Sequence, residues 1–149
     1  MHPIRIKIKR LRKTAIIPEY ATEGSAALDL HADVDKPITI SPGERALIPT
    51  GIAMEPENRG VVALLCARSG LSTKHGLALA NSVGVIDSDY RGEILVSMIN
   101  NGSLPYSIEP GERIAQLLFM PVFHAEIIKT EALKETLRGS GGFGSTGTK

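Results

Sequence analysis

The chain has 149 residues, enough for one domain with a real core, and its 17 Lys and Arg against 16 Asp and Glu leave a formal charge of +1. Near-neutrality argues against the strongly basic face of a bulk nucleic-acid binder, and the absence of Trp, with only three Tyr and three Phe, argues against a base-stacking platform. A single cysteine, Cys66, excludes an internal disulfide framework and a cysteine-rich zinc site. It fits a reducing, cytoplasmic setting, as does the lack of a signal-peptide pattern or of an apolar run long enough for a bilayer.

In chain order, "IRIKIKRLRK" places Ile4, Ile6 and Ile8 in alternation with charges, the pattern of a half-buried strand. "ALDLHA" follows, with Asp29 between two leucines and on the opposite face from them; simple alternation would put it in water. "PITI", "RALIPTG" and "VVALLC" read as further strands. "SGLSTKHG", residues 69–76, is the best helix candidate, at one or two turns. "LALA", "EILVSMIN", "RIAQLLFMPV" and "AEII" complete nine or so short strands, bounded by turn residues about every ten positions. "TEALKETLR" has Leu133 and Leu137 at helical spacing, but its place before a glycine-rich end favours strand or loop. The pattern predicts an all-β chain, a jelly-roll-like β-barrel or sandwich with a short helical turn. Two stretches, "ITISPGERALIP" and "YSIEPGERIAQL", share a Pro-Gly turn of type II character. They read as two similar hairpin turns and not as an internal repeat.

Polar residues in apolar surroundings mark where chemistry can lie. "NSVGVIDSDYRGEILVSMIN" reads as strand, turn and strand, with Asp87 at the mouth of a β-hairpin. A partly desolvated carboxylate there suits a general base, although turn chemistry alone also accounts for an Asp. In "ARSGLSTKHG", Arg68, Ser69 and the Gly70 amide open a short helix and suit phosphate; a capped turn with a solvated arginine is the other reading. His75 can be a ligand or base, or an ordinary loop residue, and His2, His31 and His124 form no metal spacing with it. Gln116, inside "RIAQLLFMP", either needs a hydrogen-bond partner or faces solvent. The final "RGSGGFGSTG" cannot build a core and reads as a solvated tail or as a lid over a flat, anionic ligand. A phosphate-binding P-loop is excluded there, because Thr148-Lys149 reverses the required order.

Taken together and in this order, "AALDLHA", "ARSGLSTKHG", "NSVGVIDSDYRGE", "RIAQLLFMP" and "RGSGGFGSTG" resemble the five motifs of the trimeric dUTPases, the deoxyuridine triphosphate nucleotidohydrolases. The likeness runs from residue 26 to residue 147. Ala27 stands where the family often has Gly, and Ala67 where Pro is common. The resemblance implies a single dUTPase-like β domain over residues 1–137 and a flexible glycine-rich lid over residues 138–149. It implies hydrolysis of dUTP to dUMP and pyrophosphate with Mg²⁺, which limits uracil in DNA and supplies dUMP for thymidylate synthesis. It also implies a homotrimer with active sites at subunit interfaces and no nucleic-acid or membrane partner.

By matched position, the resemblance makes Asp87 the base that activates water for attack on the α-phosphorus. Uracil would be bound by the backbone at Val85, Ile86 and Asp87, assisted by Asn81 and lined by Leu95, while Tyr90 packs on the deoxyribose. Arg68, Ser69 and Gly70 would hold phosphates from a neighbouring subunit, Gln116 would position phosphate or water, and Asp29 would act on Mg²⁺ through water. Arg138, Gly144, Ser145 and Thr146 would serve the γ-phosphate side, with Phe143 stacked on uracil. The rivals are a dCTP deaminase or bifunctional deaminase-dUTPase on the same fold, and a non-catalytic dUTP sensor.

Overall fold

A computed structural model describes residues 3–142. Among them run strands β1 (Ile6–Arg10), β2 (Leu28–His31), β3 (Ile38–Ile40), β4 (Arg45–Pro49), β5 (Ile52–Pro56) and β6 (Val61–Ala67). Helix α1 (Ser69–His75) follows, then β7 (Leu77–Leu79), β8 (Gly84–Ile86), β9 (Leu95–Asn100), β10 (Tyr106–Ile108) and β11 (Arg113–Pro121). Every ladder is antiparallel. The strands form sheets in the orders β2-β11-β6-β8 and β4-β9-β7, with two-stranded pairs β1-β5 and β3-β10. Chain neighbours repeatedly fall in different sheets, the all-β jelly-roll-like arrangement that the spacing of turn residues predicts.

The core sits between these sheets. Along β6 and β9 buried and less buried residues alternate, as the period of a strand requires. Leu30, Ile48, Ile52, Leu77, Val96, Met98, Ile114 and Leu117 are fully enclosed. The helix forms where expected and ends at Gly76, whose φ of +74° closes it while its amide donates to the Ser72 carbonyl at 3.0 Å. His75, the last helical residue, lies against the Tyr106 ring at 4.8 Å between centroids.

Two strand expectations need correction. "AEII" at 125–128 forms no strand, because nothing pairs with it: Ile127 and Ile128 stand 88% and 78% exposed. A strand absent from the expectation, β5, follows β4 after only Thr50 and Gly51, so its apolar run merges with the one before it. "TEALKETLR" is loop, as its place in the chain indicates.

The two Pro-Gly turns match in detail but close no hairpin. Glu44 N donates to Ser41 O at 3.0 Å, and Glu112 N donates to Glu109 O at 3.1 Å; Gly43 and Gly111 take φ of +80° and +75°. Each glutamate returns to the amide that opens its own turn, at 3.1 Å from Ser41 N and 3.0 Å from Glu109 N. The strands entering the turns, β3 and β10, pair with each other, whereas β4 and β11 leave for different sheets. The turns are thus corners of the jelly roll.

Asn100 ties the first of these corners to the 102–104 loop. Its buried amide nitrogen donates to Ile40 O and Leu104 O, both at 2.8 Å, and its oxygen accepts from Gly102 N at 2.8 Å. Asn100→Leu takes the partner from the buried Ile40 carbonyl and from the part-buried Leu104 carbonyl and Gly102 amide, and is expected to cost about 2–4 kcal/mol. A urea melt that moves by less than roughly 1 kcal/mol would contradict this reading.

Candidate active site

The run around Asp87 is not a hydrogen-bonded hairpin. Strand β8 pairs with β6, with Ala63 opposite Ile86 and Leu65 opposite Gly84, while β9 pairs with β4 and β7. Because β8 is the last strand of its sheet, its other edge keeps free N–H and C=O groups. Strand β7 covers β9 only from Met98 to Asn100, which leaves Leu95 and Val96 unpaired on that side. The two sheets therefore part here, and the gap is a slot of about 220 Å³ lined by Leu65, Asn81, Gly84, Val85, Ile86, Asp87, Tyr90, Glu93, Ile94 and Leu95. It is smaller than the roughly 300–1,000 Å³ of sites for drug-sized ligands, and suits a single ring.

Close packing sets the slot's shape. A Cβ on Gly84 would lie 2.9 Å from Leu65 Cβ, so only glycine lets β8 sit this near β6. Ile86 turns inward, while Val85 is 63% exposed and points away. Beyond them, Tyr90 N donates to Asp87 O at 3.1 Å and closes a β-turn. The Tyr90 hydroxyl donates to the Glu93 carbonyl at 3.0 Å, folding the ring over Gly92. Six residues expected from the sequence, Asn81, Val85, Ile86, Asp87, Tyr90 and Leu95, meet in this one place. The Asp87 carboxylate is exposed at the mouth and not partly desolvated as expected, because within one chain nothing covers the loop outside β8.

A second cluster gathers where β6 ends. Asp29, Gln116 and Cys66 lie abreast on β2, β11 and β6. Asp29 is buried, which corrects the expectation of a carboxylate in water: Arg68 Nε donates to Oδ1 at 3.2 Å and Arg113 Nη1 to Oδ2 at 3.0 Å. Arg68 also donates to the Arg113 carbonyl at 3.1 Å. A β-bulge between Arg113 and Ala115 lets Ile114 drop into the core beside the arginine. Two guanidinium groups around one carboxylate leave the cluster net positive, the sign a phosphate requires. Burial holds the nearby His31 imidazole below its usual pKa. Ser69 and Gly70 are exposed at the start of α1, which has no side-chain cap and no acid in its first turn. Gln116 is half-buried and makes no side-chain hydrogen bond among the described residues.

The structure does not bring Arg138 to either cluster; it is exposed, and its Nε donates to Gly141 O at 2.9 Å. Phe143, Gly144, Ser145 and Thr146 lie outside the described residues. Nor do the slot and the arginine cluster adjoin within the chain. Asp87 follows Ile86, the partner of Ala63, so it lies abreast of Val62, and six residues of β-structure to Arg68 span roughly 20 Å.

A family model described as dUTPase matches residues 13–147. The chain belongs to the dUTPase family. It is 55% identical over 149 residues to the deoxyuridine 5'-triphosphate nucleotidohydrolase of Desulfitobacterium hafniense (strain DSM 10664 / DCB-2), covering 99% of both chains. The enzyme of the same name from Hahella chejuensis is 48% identical over 146 residues, covering 98% of this chain and 96% of its own. Among solved structures, the Staphylococcus bacteriophage 80alpha dUTPase with dUPNHPP superposes with a TM-score of 0.87 at 29% identity, covering 97% of this chain and 99% of that one. A mutant dUTPase from phage phi11 of S. aureus, in which coordination of a structural Mg(II) ion is described, aligns with a TM-score of 0.77 at 25% identity, covering 86% and 97%.

The sequence reading missed Gly84, Glu93 and Arg113. The glycine and the arginine each had a signal, an isolated Gly inside an apolar strand and a base at the start of one. Glu93 had none, since it stands among ordinary turn residues. No helix among the described residues is long and apolar enough to cross a membrane.

Proposed function

We propose that this chain hydrolyses dUTP to dUMP and pyrophosphate, with Asp87 drawing a proton from the water that attacks the α-phosphorus. The observation that carries the reading is the slot, which sets Asp87 at the mouth of a single-ring pocket whose wall includes a free strand edge. Fixed amide and carbonyl groups there suit the donors and acceptors of uracil. They would leave cytosine with unpaired groups, which is costly once buried. Of the residues lining the slot, Leu65, Ile94 and Leu95 would give the ring apolar contact, Asn81 would add a polar group, and Tyr90 would pack against the sugar.

Arg68, Ser69, Gly70 and Gln116 would serve the phosphates of a substrate held in another subunit's slot. Two features support this. The roughly 20 Å between Asp87 and Arg68 exceeds what one arginine side chain bridges. In addition, residues 122–142 carry apolar side chains outward, Phe123 at 96% and Leu133 at 86% exposure, an arrangement that suits docking on a second copy of the chain. A homotrimer with sites at its interfaces is the assembly we infer. Arg138, Phe143, Gly144, Ser145 and Thr146 would then act as a lid that excludes water.

Among the described residues no three His, Cys, Asp or Glu form a metal-holding group, and both oxygens of Asp29 already accept from arginines. These residues fit an Mg²⁺ that arrives on the triphosphate with its own waters, one of which Asp29 can receive through a remaining lone pair. Bound that way, the ion would offset phosphate charge and polarise the reacting centre.

Glu93 lines the slot, the position a deaminase would need for a glutamate, but its carboxylate is held by Arg12 and by Gly51 N. Pyrophosphate release from dUTP, dCTP, dTTP and UTP, with and without Mg²⁺, tests the reading. Turnover of dUTP alone, lost on chelation, is expected. Ammonia from dCTP would establish the deaminase instead, and binding without turnover the sensor.

A further inference from the structure

We propose that Arg12 is a positioning residue for substrate selection: through Glu93 it fixes the Tyr90 ring at the sugar side of the slot, and so favours a deoxyribonucleotide over a ribonucleotide. The inference rests on the dUTP reading above and assigns a role to Arg12, a residue outside the five motifs.

Arg12 lies in the turn after β1 and does not line the slot. Its Nε donates to Asp33 Oδ2 at 2.5 Å, and its two terminal nitrogens bind the two carboxylate oxygens of Glu93, Nη1 to Oε2 at 3.4 Å and Nη2 to Oε1. The Asp33 side chain is only 5% exposed, and its backbone amide donates to Pro49 O at 2.8 Å, so the far end of the chain of contacts is fixed in the body of the protein. Gly51 N adds a third donor to Glu93, at 2.7 Å from Oε1. That approach needs the missing side chain: Gly51 has φ of +69°, and a Cβ there would lie 2.1 Å from Asp33 Oδ2.

The near end of the same chain is Tyr90. Its hydroxyl donates to the Glu93 carbonyl at 3.0 Å, and its ring lies so close to Gly92 that a Cβ would meet the hydroxyl oxygen at 2.3 Å. The next residue is fixed independently, since Thr50 Oγ1 donates to Ile94 O at 2.6 Å and Ile94 N to Ile52 O at 2.9 Å. Of the groups holding the Glu93 carboxylate among the described residues, the guanidinium is the one side chain, beside the Gly51 amide. The hydrogen bond to Glu93, followed by that to Asp33, raises the pKa of Arg12 above its usual value, so the clamp stays charged. A bidentate fork between two carboxylates is a geometry lysine reproduces only in part.

The test compares kcat/KM for dUTP and for UTP in the full-length protein and in Arg12→Ala, with Arg12→Lys as the conservative variant. The ratio of the two values does not depend on how much of a preparation is folded, so a purely structural loss leaves it unchanged. Arg12→Ala is expected to lower the dUTP preference roughly tenfold, chiefly through a higher KM for dUTP, and Arg12→Lys to restore part of it. An unchanged ratio in Arg12→Ala, whatever its total activity or melting temperature, overturns the proposal. Should that variant not fold, Glu93→Gln, which keeps an acceptor for Gly51 N, is expected to lower the ratio by a smaller factor, and no change there overturns the proposal equally. A parent protein that does not turn over dUTP would defeat the dUTP reading itself, a different result from a parent that prefers dUTP and variants that prefer it as strongly.

Discussion

Asp87→Asn is expected to lower pyrophosphate release from dUTP on the order of 10³-fold while leaving nucleotide affinity within a few-fold of the parent. The carboxylate accepts no side-chain hydrogen bond among the described residues, and the turn it sits in is closed by its backbone carbonyl, which asparagine keeps. The substitution therefore removes a proton acceptor without removing a structural contact, and melting behaviour should not change. Calorimetric titration with a non-hydrolysable dUTP analogue measures affinity, and a coupled pyrophosphate assay measures turnover. Turnover equal to the parent would remove Asp87 from the chemistry. Lost affinity in step with lost turnover would make it a binding group.

Mixing two inactive variants should restore activity. If each site takes Asp87 from one subunit and Arg68 from another, co-expressed Asp87→Asn and Arg68→Ala chains assemble some sites with both residues intact. With random assortment in a ring, about a quarter of the sites qualify, so the mixture should recover about a quarter of parental turnover. Sites built within single chains would recover nothing. The spacing along β6 and the outward-facing apolar arm both favour the shared site. Carrying differently tagged copies through two affinity steps removes the single-type assemblies, and each remaining trimer has one intact site in three, so recovery in that fraction should rise to about a third.

How much of this was legible in the sequence differs by element. Alternation along "VVALLC" and "EILVSMIN" gave β6 and β9, because a strand with one face in the core has a period of two whatever it pairs with. The Gly76 stop gave the end of α1. Pairing was not legible: "GVI" and "EILVSMIN" look like the arms of a hairpin, yet each belongs to a different sheet, and the slot exists because they do not pair. The two Pro-Gly turns misled in the same way, since turn chemistry fixes a local bend and not the sheet that the next strand joins. Alternation puts Asp29 in water, and only the fold brings Arg68, from the start of α1, and Arg113, from β11, over it. "AEII" had the composition of a strand and lacked only a partner.

The free edge of β8 has a further consequence for how such a pocket tolerates change. Val85 turns its side chain outward, and Gly84 has none. The face that strand offers a ligand is therefore made largely of atoms common to all twenty amino acids. Drift in residue type along the edge rewrites little of what a ligand encounters there, whereas one added methyl at Gly84 or Gly92 would push the wall out of shape. The positions that hold this wall in shape are, in good part, the ones with nothing on them.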